Sequence, residues 1–207
     1  MSLLNRSLGP LLFPNILWRS NDASVHLTFD DGPHPSATPQ VLELLQRYEI
    51  RATFFLVGTQ VMKYPDLARQ IIRSGHTVGS HSMTHRSLFL RSRSAQQTEI
   101  TAAKTIIREN VGISPQAFRP PYGHFDFFTI DASVTAQQKI VMWDVDSRDF
   151  SPRSPEQIAS RVCRHTRPGS IILFHDNDLT ADRSASYLTL ILDGLFGRGF
   201  HFAPVPL

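Results

Sequence analysis

The stretch Val25-His26-Leu27-Thr28-Phe29-Asp30-Asp31-Gly32-Pro33 decides the fold. Val25–Phe29 alternates in part and reads as a buried strand, which ends abruptly in two adjacent carboxylates and a Gly-Pro turn. Like charges side by side repel, and each needs a partner of its own. Such a pair is poor structural material. It has a use if one carboxylate binds a metal ion and the other handles a proton. The competing reading is that one aspartate only caps the turn at Gly32-Pro33. Polar residues delivered at the carboxyl end of a buried strand are a habit of α/β proteins.

The same strand, loop and helix rhythm continues outward from this stretch. Thr38–Arg47 carries Val41, Leu44 and Leu45 at helical spacing, with Pro39 near its start. Ala52–Val57 is a second apolar run, closed by Gly58. Tyr64–Ser74 reads as a helix with Gly75 as its cap. Thr77–Gly79 is a short strand, Ser94–Asn110 a longer amphipathic helix, and Gln116–Arg119 a strand before a Pro-Pro turn. Lys139–Trp143 reads as one strand, Pro155–His165 as a helix, and Ile171–Phe174 as a strongly buried strand. Ser184–Phe196 makes a last helix and His201–Val205 a last short strand. Six or seven strands alternating with helices predict an α/β protein with a mainly parallel sheet. Periodicity fits a closed barrel and an open sheet equally well.

A chain of 207 residues, 41% hydrophobic and 19% charged, suffices for one core and is short for two. The formal charge is +3 and the pI about 9.3. The basic residues are scattered apart from a denser stretch at Arg86–Arg93, and none are interleaved with aromatics as nucleic-acid grooves require, so a solvated basic face is expected and no nucleic-acid partner. The single cysteine, Cys163, excludes an internal disulfide framework and is expected to be a small core residue. No run approaches the roughly 18 apolar residues of a membrane span. Residues 1–18 are apolar, but Pro10, Pro14 and Asn15 interrupt them, and a small-x-small cleavage site is missing. Residues 1–23 are therefore expected to form an N-terminal arm on a domain spanning 24–207, with a cytoplasmic location favoured over export.

The residues suited to chemistry fall at strand ends: Asp30-Asp31, Ser80-His81, Arg119, Asp144–Asp149 and His175-Asp176. His81 and His85 are spaced by four, and on a helical turn both imidazoles would face one ion. One aspartate and two histidines make a three-ligand set with open positions, the mark of a catalytic metal site; zinc or a similar divalent ion suits it, with cobalt or nickel as alternatives. The second aspartate can then accept a proton from water. The two prolines after Arg119 fix a turn that can aim its side chain or a backbone N–H. The acid-rich stretch Trp143–Phe150 lacks the glycine and terminal glutamate of a calcium loop. An acid there that orients Arg119 or His175 is the expected use. His175, at the end of an apolar strand, reads as a buried structural histidine or, on the same strand-end rim as the metal, as a group able to protonate a leaving amine.

Five ordered blocks, Thr28–Pro33, His81–His85, Arg119–Gly123, Asp146–Phe150 and Leu173–His175, together resemble the polysaccharide deacetylase (NodB-homology) family of metal-dependent carbohydrate esterases. Ala52–Gly58 and Gly75–His81 also look family-like, and the resemblance spans about residues 24–205. It implies a distorted (β/α) barrel and hydrolysis of an N-acetyl or O-acetyl group on a sugar. By family pattern, Asp30 is the base and Asp31 a metal ligand with His81 and His85. Arg119 steadies Asp30, and His175 is the general acid, tuned by Asp149. Pro120 and the Tyr122 backbone N–H belong to the oxyanion turn, while Leu173 and Phe150 line the acetyl pocket and cleft. Phe150 departs from the family, which often has Trp there. The implied substrate is an acetylated glycan of chitooligosaccharide or peptidoglycan type. The alternatives are a deacylase or deformylase of a lipid-linked sugar or small amide, and a catalytically silent glycan-binding relative.

Overall fold

The computed structural model describes residues 9–207, and the first eight residues of the expected N-terminal arm lie outside them. Seven strands are present among the described residues: β1 His26–Asp30, β2 Thr53–Leu56, β3 Thr77–Ser80, β4 Ala117–Phe118, β5 Lys139–Ile140, β6 Val145–Asp146 and β7 Ile171–His175. They form one sheet in the order β5-β4-β3-β2-β1-β7-β6. Every pairing between them is parallel. β1 lies inside the sheet, between β2 and β7, and is buried along its whole length. His26, Thr28 and Asp30 alternate with Leu27 and Phe29, yet all five are buried, because both faces of this parallel sheet are covered.

Alternate residues of these strands feed two apolar clusters. Leu27, Phe29, Phe54, Ile172 and Phe174 belong to one, which also takes in α1 (Ala37–Arg47), α6 (Pro155–His165) and α7 (Ser184–Phe196). Phe29 stacks between Phe54 and Phe174 there, at 5.0 and 5.6 Å. Phe55, Ile171 and Leu173 point the other way, into a second cluster with Phe118, Met142 and Trp143. Further helices are α2 Gly58–Lys63, α3 Pro65–Arg73, α4 Arg93–Val111 and α5 Phe127–Thr135. No helix among the described residues is long and apolar enough to cross a membrane.

The barrel is distorted at one seam. Lys139–Trp143 is not the single strand its sequence suggests. Only Lys139–Ile140 pairs as β5, beside β4; Val141 makes a single bridge to Leu17, and past Trp143 the chain resumes as β6 beside β7, at the opposite edge of the sheet. Leu17 lies alongside the crossing, with its N–H on Ile140 O at 2.9 Å and its carbonyl taking the Met142 N–H at 2.8 Å. Ser20 N–H donates to Gly169 O at 2.8 Å, and Ile16 and Trp18 are buried.

Two helices have no counterpart in the sequence reading. α2 begins at the glycine that was expected only to stop β2. α5 has no clear apolar stripe, being rich in apolar and β-branched residues all round. Its sequence signal is the cap: Asp126 accepts from Thr129 N–H at 3.0 Å, and Thr129 Oγ1 accepts from Asp126 N–H at 3.1 Å. His201–Val205 is not a strand of the sheet; it makes one bridge, Val25 to Phe202, and Pro204 has no N–H to extend a ladder. Cys163 is half-buried rather than in the core, and burial raises its thiol pKa.

Candidate active site

The parallel register sets the site. Asp30 is paired with His175 across β1 and β7, so both end at the same level of the sheet. His81 and Arg119 follow the last residues of β3 and β4 directly. These strand ends open into a cleft of about 390 Å³ lined by Asp30, Asp31, His81, His85, Leu173 and His175, with Tyr122, Trp143, Phe150 and Asn177 at its walls.

His81 and His85 do face one point, but not on a helical turn. Ser82 (φ 63°) and His85 (φ 56°) are both left-handed, and the segment is an irregular loop. Other elements hold it. Glu99 of α4 accepts from the N–H groups of Met83 and Thr84 at 3.1 and 2.9 Å and from the Thr84 hydroxyl at 2.7 Å. The first amides of α2, Gly58 and Thr59, donate to Ser82 O and Met83 O at 3.0 and 2.9 Å. A Cβ on Gly58 would displace Met83 Sδ and crowd the Met83 backbone, at 3.2 Å from Cα and 3.3 Å from O, so glycine favours this close approach of the loop.

One carboxylate oxygen and two ring nitrogens converge. Asp31 Oδ1 lies 3.0 Å from His85 Nε2 and 3.6 Å from His81 Nε2. Ligand atoms of the three residues all lie within 4.8 Å of one another. Asp31 Oδ1 is buried and no hydrogen bond satisfies it, while Asn177 Nδ2 donates to Oδ2 at 2.6 Å. His81 Nδ1 lies 2.7 Å from the Arg119 carbonyl, which can only accept, so Nδ1 carries the proton and Nε2 presents a lone pair. Burial also lowers the His81 pKa against the opposing pull of Asp30 and Asp31, favouring the neutral ligand form. Burial works against ionisation of Asp31. The surrounding imidazoles, His85 first, outweigh it and hold that carboxyl well below the usual range. An orphaned buried carboxylate oxygen among imidazole lone pairs fits a divalent cation. Asp31 holds its position at φ 82°, a conformation that costs an L-residue energy and clusters at functional sites.

Asp30 differs from its neighbour. It is 2% exposed and takes Arg119 Nη1 on Oδ1 at 2.8 Å. Arg119 is wholly buried, its plane 4.1 Å from the Phe55 ring centroid. Its other donors reach Thr28 Oγ1 at 2.7 Å and the seam carbonyls of Val141 and Met142 at 3.0 and 2.9 Å. The two carboxylates of the opening stretch are thus separated by environment: one faces a guanidinium, the other two imidazoles.

His175 has its own carboxylate. Asp149, fully buried, accepts from His175 Nδ1 and from the His175 backbone N–H, both at 2.8 Å. Tyr187 of α7 adds its hydroxyl to Asp149 at 3.1 Å, and the Phe150 N–H donates at 3.0 Å. Burial lowers the imidazole pKa, but Asp149 first, then Asp31 and Asp30, carry it up to about 9. The Phe150 ring meets His175 edge-on at 5.4 Å. Beneath the site, Asp176 is buried, with Thr38 Oγ1 donating to it at 2.5 Å. Burial, reinforced by Asp31 and Asp30, raises its pKa well above the usual range.

All eleven site residues expected from the sequence therefore gather at this one end of the barrel. Pro120 holds an extended backbone (φ −69°, ψ 135°) before the turn at Pro121–Gly123, and Tyr122 is left-handed at φ 61°. Thr28, Trp143, Asn177, Tyr187 and Glu99 were not anticipated. Asn177 and Thr28 had a usable signal, standing two residues from His175 and Asp30. Tyr187 and Glu99 read only as helix residues.

Residues 19–141 match the polysaccharide deacetylase family model. The chain belongs to the polysaccharide deacetylase family. It is similar to a chitooligosaccharide deacetylase of Bradyrhizobium sp. (strain ANU 289), 36% identical over 90% of this chain and 91% of that protein. It is also similar to a peptidoglycan-N-acetylglucosamine deacetylase of Bacillus cereus, at 32% over 98% and 96%. Among solved structures, a peptidoglycan N-acetylglucosamine deacetylase bound to a benzamide superposes with a TM-score of 0.89. It is 30% identical and covers 93% of this chain and 91% of its own. A family 4 carbohydrate esterase from Streptomyces lividans in complex with acetate reaches 0.79, at 33% identity over 88% and 92%. The distorted barrel of this polysaccharide deacetylase is thus the fold its five sequence blocks implied.

Proposed function

We propose that this polysaccharide deacetylase is a metal-dependent hydrolase that removes N-acetyl groups from an amino-sugar glycan of chitooligosaccharide or peptidoglycan type, releasing acetate. The observation that carries the reading is the convergence of Asp31, His81 and His85 between two oriented proton-handling pairs, Asp30–Arg119 and His175–Asp149. The two glycan deacetylases that span nearly the same length support the substrate class.

Asp31, His81 and His85 are the residues to hold a divalent ion, for which zinc is the first choice and cobalt or nickel alternatives. When bound, the ion supplies Lewis-acid polarisation of the acetyl carbonyl and makes water more acidic. Asp30, held by Arg119, accepts a proton from the water as its oxygen bonds to the carbonyl carbon. We assign to the Tyr122 backbone N–H, on a turn stiffened by Pro120 and Pro121, the oxygen that gains charge. His175 has Nδ1 committed to Asp149, which leaves Nε2–H to protonate the amine as the C–N bond breaks. Its high pKa keeps that proton available at neutral pH. Leu173, with Phe150, gives the acetyl methyl an apolar wall. Acetate and a free amino sugar leave.

A panel of acetylated chitooligomers, peptidoglycan fragments and acetylxylan, assayed for acetate, tests the substrate class. N-acetylated glycans should be turned over, and the Asp30→Asn and His175→Ala proteins should fail on all of them. Undiminished turnover in Asp30→Asn would refute the division of roles.

A further inference from the structure

Four rings run outward from the candidate metal centre across the surface. His85 and Tyr122 have ring centroids 4.8 Å apart, Tyr122 and His124 6.0 Å, and His124 and Phe89 6.4 Å, with successive rings tilted by 55°, 39° and 58°. Tyr122 is 58% exposed and Phe89 48%, and His124 is exposed too. Isolated apolar side chains on a surface need no explanation, but a connected row that begins inside a cleft does.

The row is held in place from below. Leu88 is buried in the second cluster and anchors the loop that carries Phe89. The next residue, Leu90, donates its N–H to Asp126 at 2.9 Å, and Gln96 ties the Arg91 carbonyl to the same carboxylate at 3.0 and 3.1 Å. Asp126 caps α5, which follows His124 in the chain, so the segments bearing Phe89 and His124 are fastened to one another. Tyr122 keeps a left-handed φ of 61° while its ring lies in solvent. Nothing in the proposed chemistry uses Phe89 or His124.

We propose that Tyr122, His124 and Phe89 form a stacking platform for the sugar rings that extend beyond the acetylated residue, so that this side of the cleft selects for longer glycan chains. A pyranose ring presents an apolar C–H face and a polar rim. Aromatic faces in a pre-ordered row bury the first and leave the second in water. Continuity with the catalytic cleft argues for the substrate's own chain as the occupant, a role that rests on the deacetylase reading.

The test compares N-acetylated chitobiose with chitopentaose in wild-type, Phe89→Ala, Phe89→Tyr and His124→Ala proteins. In Phe89→Ala, kcat/KM for the pentamer should fall about threefold to tenfold through KM. Turnover of the dimer should stay unchanged, and Phe89→Tyr should restore the pentamer. Equal effects on both lengths, or none on either, would overturn the platform while leaving the deacetylase reading intact. Wild-type protein that releases acetate from neither length would sink both.

Discussion

Replacing Arg119 by Gln should expose how much of the fold and the site depend on one side chain. The guanidinium is fully buried and serves four acceptors: Asp30 Oδ1, Thr28 Oγ1 and the carbonyls of Val141 and Met142. A glutamine amide is shorter and cannot reach across the seam to all of them. Asp30 would stay buried without its counter-charge, a loss of about 3–5 kcal/mol when one partner of a buried pair is removed. Each stranded carbonyl adds about 1–3 kcal/mol, which water entering the seam partly offsets. A total of at least about 4 kcal/mol is expected, which for a chain of this size lowers Tm by about 8–16 °C. Adding Asp30→Asn removes the stranded charge, so the double variant should be less destabilised than the sum of the singles by about 2 kcal/mol or more. Denaturant unfolding of the four metal-free proteins measures the cycle. An Arg119→Gln protein within 1 kcal/mol of wild type, or strict additivity, would refute the assignment of Arg119 as the partner of Asp30.

Three further outcomes are expected. Asp149→Asn removes the main charge that raises His175, so the alkaline fall in kcat, set in the wild type by an imidazole pKa of about 9, should move to lower pH; an unmoved limb would contradict the pairing. In stability the sign is that of a raised histidine: the contribution is full below the unfolded value of about 6.5 and lost as pH rises through about 9. Asp31→Asn should lose divalent-ion binding in a calorimetric titration, whereas Asp30→Asn and His175→Ala should keep it and lose about 10²–10⁴-fold in turnover. Gly32→Ala puts a Cβ at 2.3 and 2.5 Å from the Asp176 carboxylate, so it should cost about 1–3 kcal/mol and weaken ion binding through Asp31.

The sequence was most legible where one residue type has few uses. Adjacent aspartates after a buried strand, paired histidines and a histidine closing an apolar run pointed to the cleft, because charge and imidazole are costly to place without partners. Parallel strands with both faces covered also announce themselves as short apolar runs. What escaped depends on distant partners. The His81–His85 spacing suggested a helical turn, yet the loop is shaped by Glu99 and the α2 amides, which no local pattern reveals. Lys139–Trp143 looked like one strand because local pattern cannot show that pairing stops after Ile140 and resumes at Val145 on the opposite edge of the sheet. Arg119 shows the same limit: its side chain orients Asp30 while its carbonyl orients His81, and only the curled sheet brings both within reach.

The most direct test is acetate and free-amine release from an N-acetylated chitooligosaccharide by protein loaded with a divalent ion, then stripped by chelation, then reloaded. Stoichiometric acetate and amine that vanish on stripping and return on reloading are the predicted result. Release that survives stripping, or no release by the loaded protein, would contradict a metal-dependent deacetylase built on Asp31, His81 and His85.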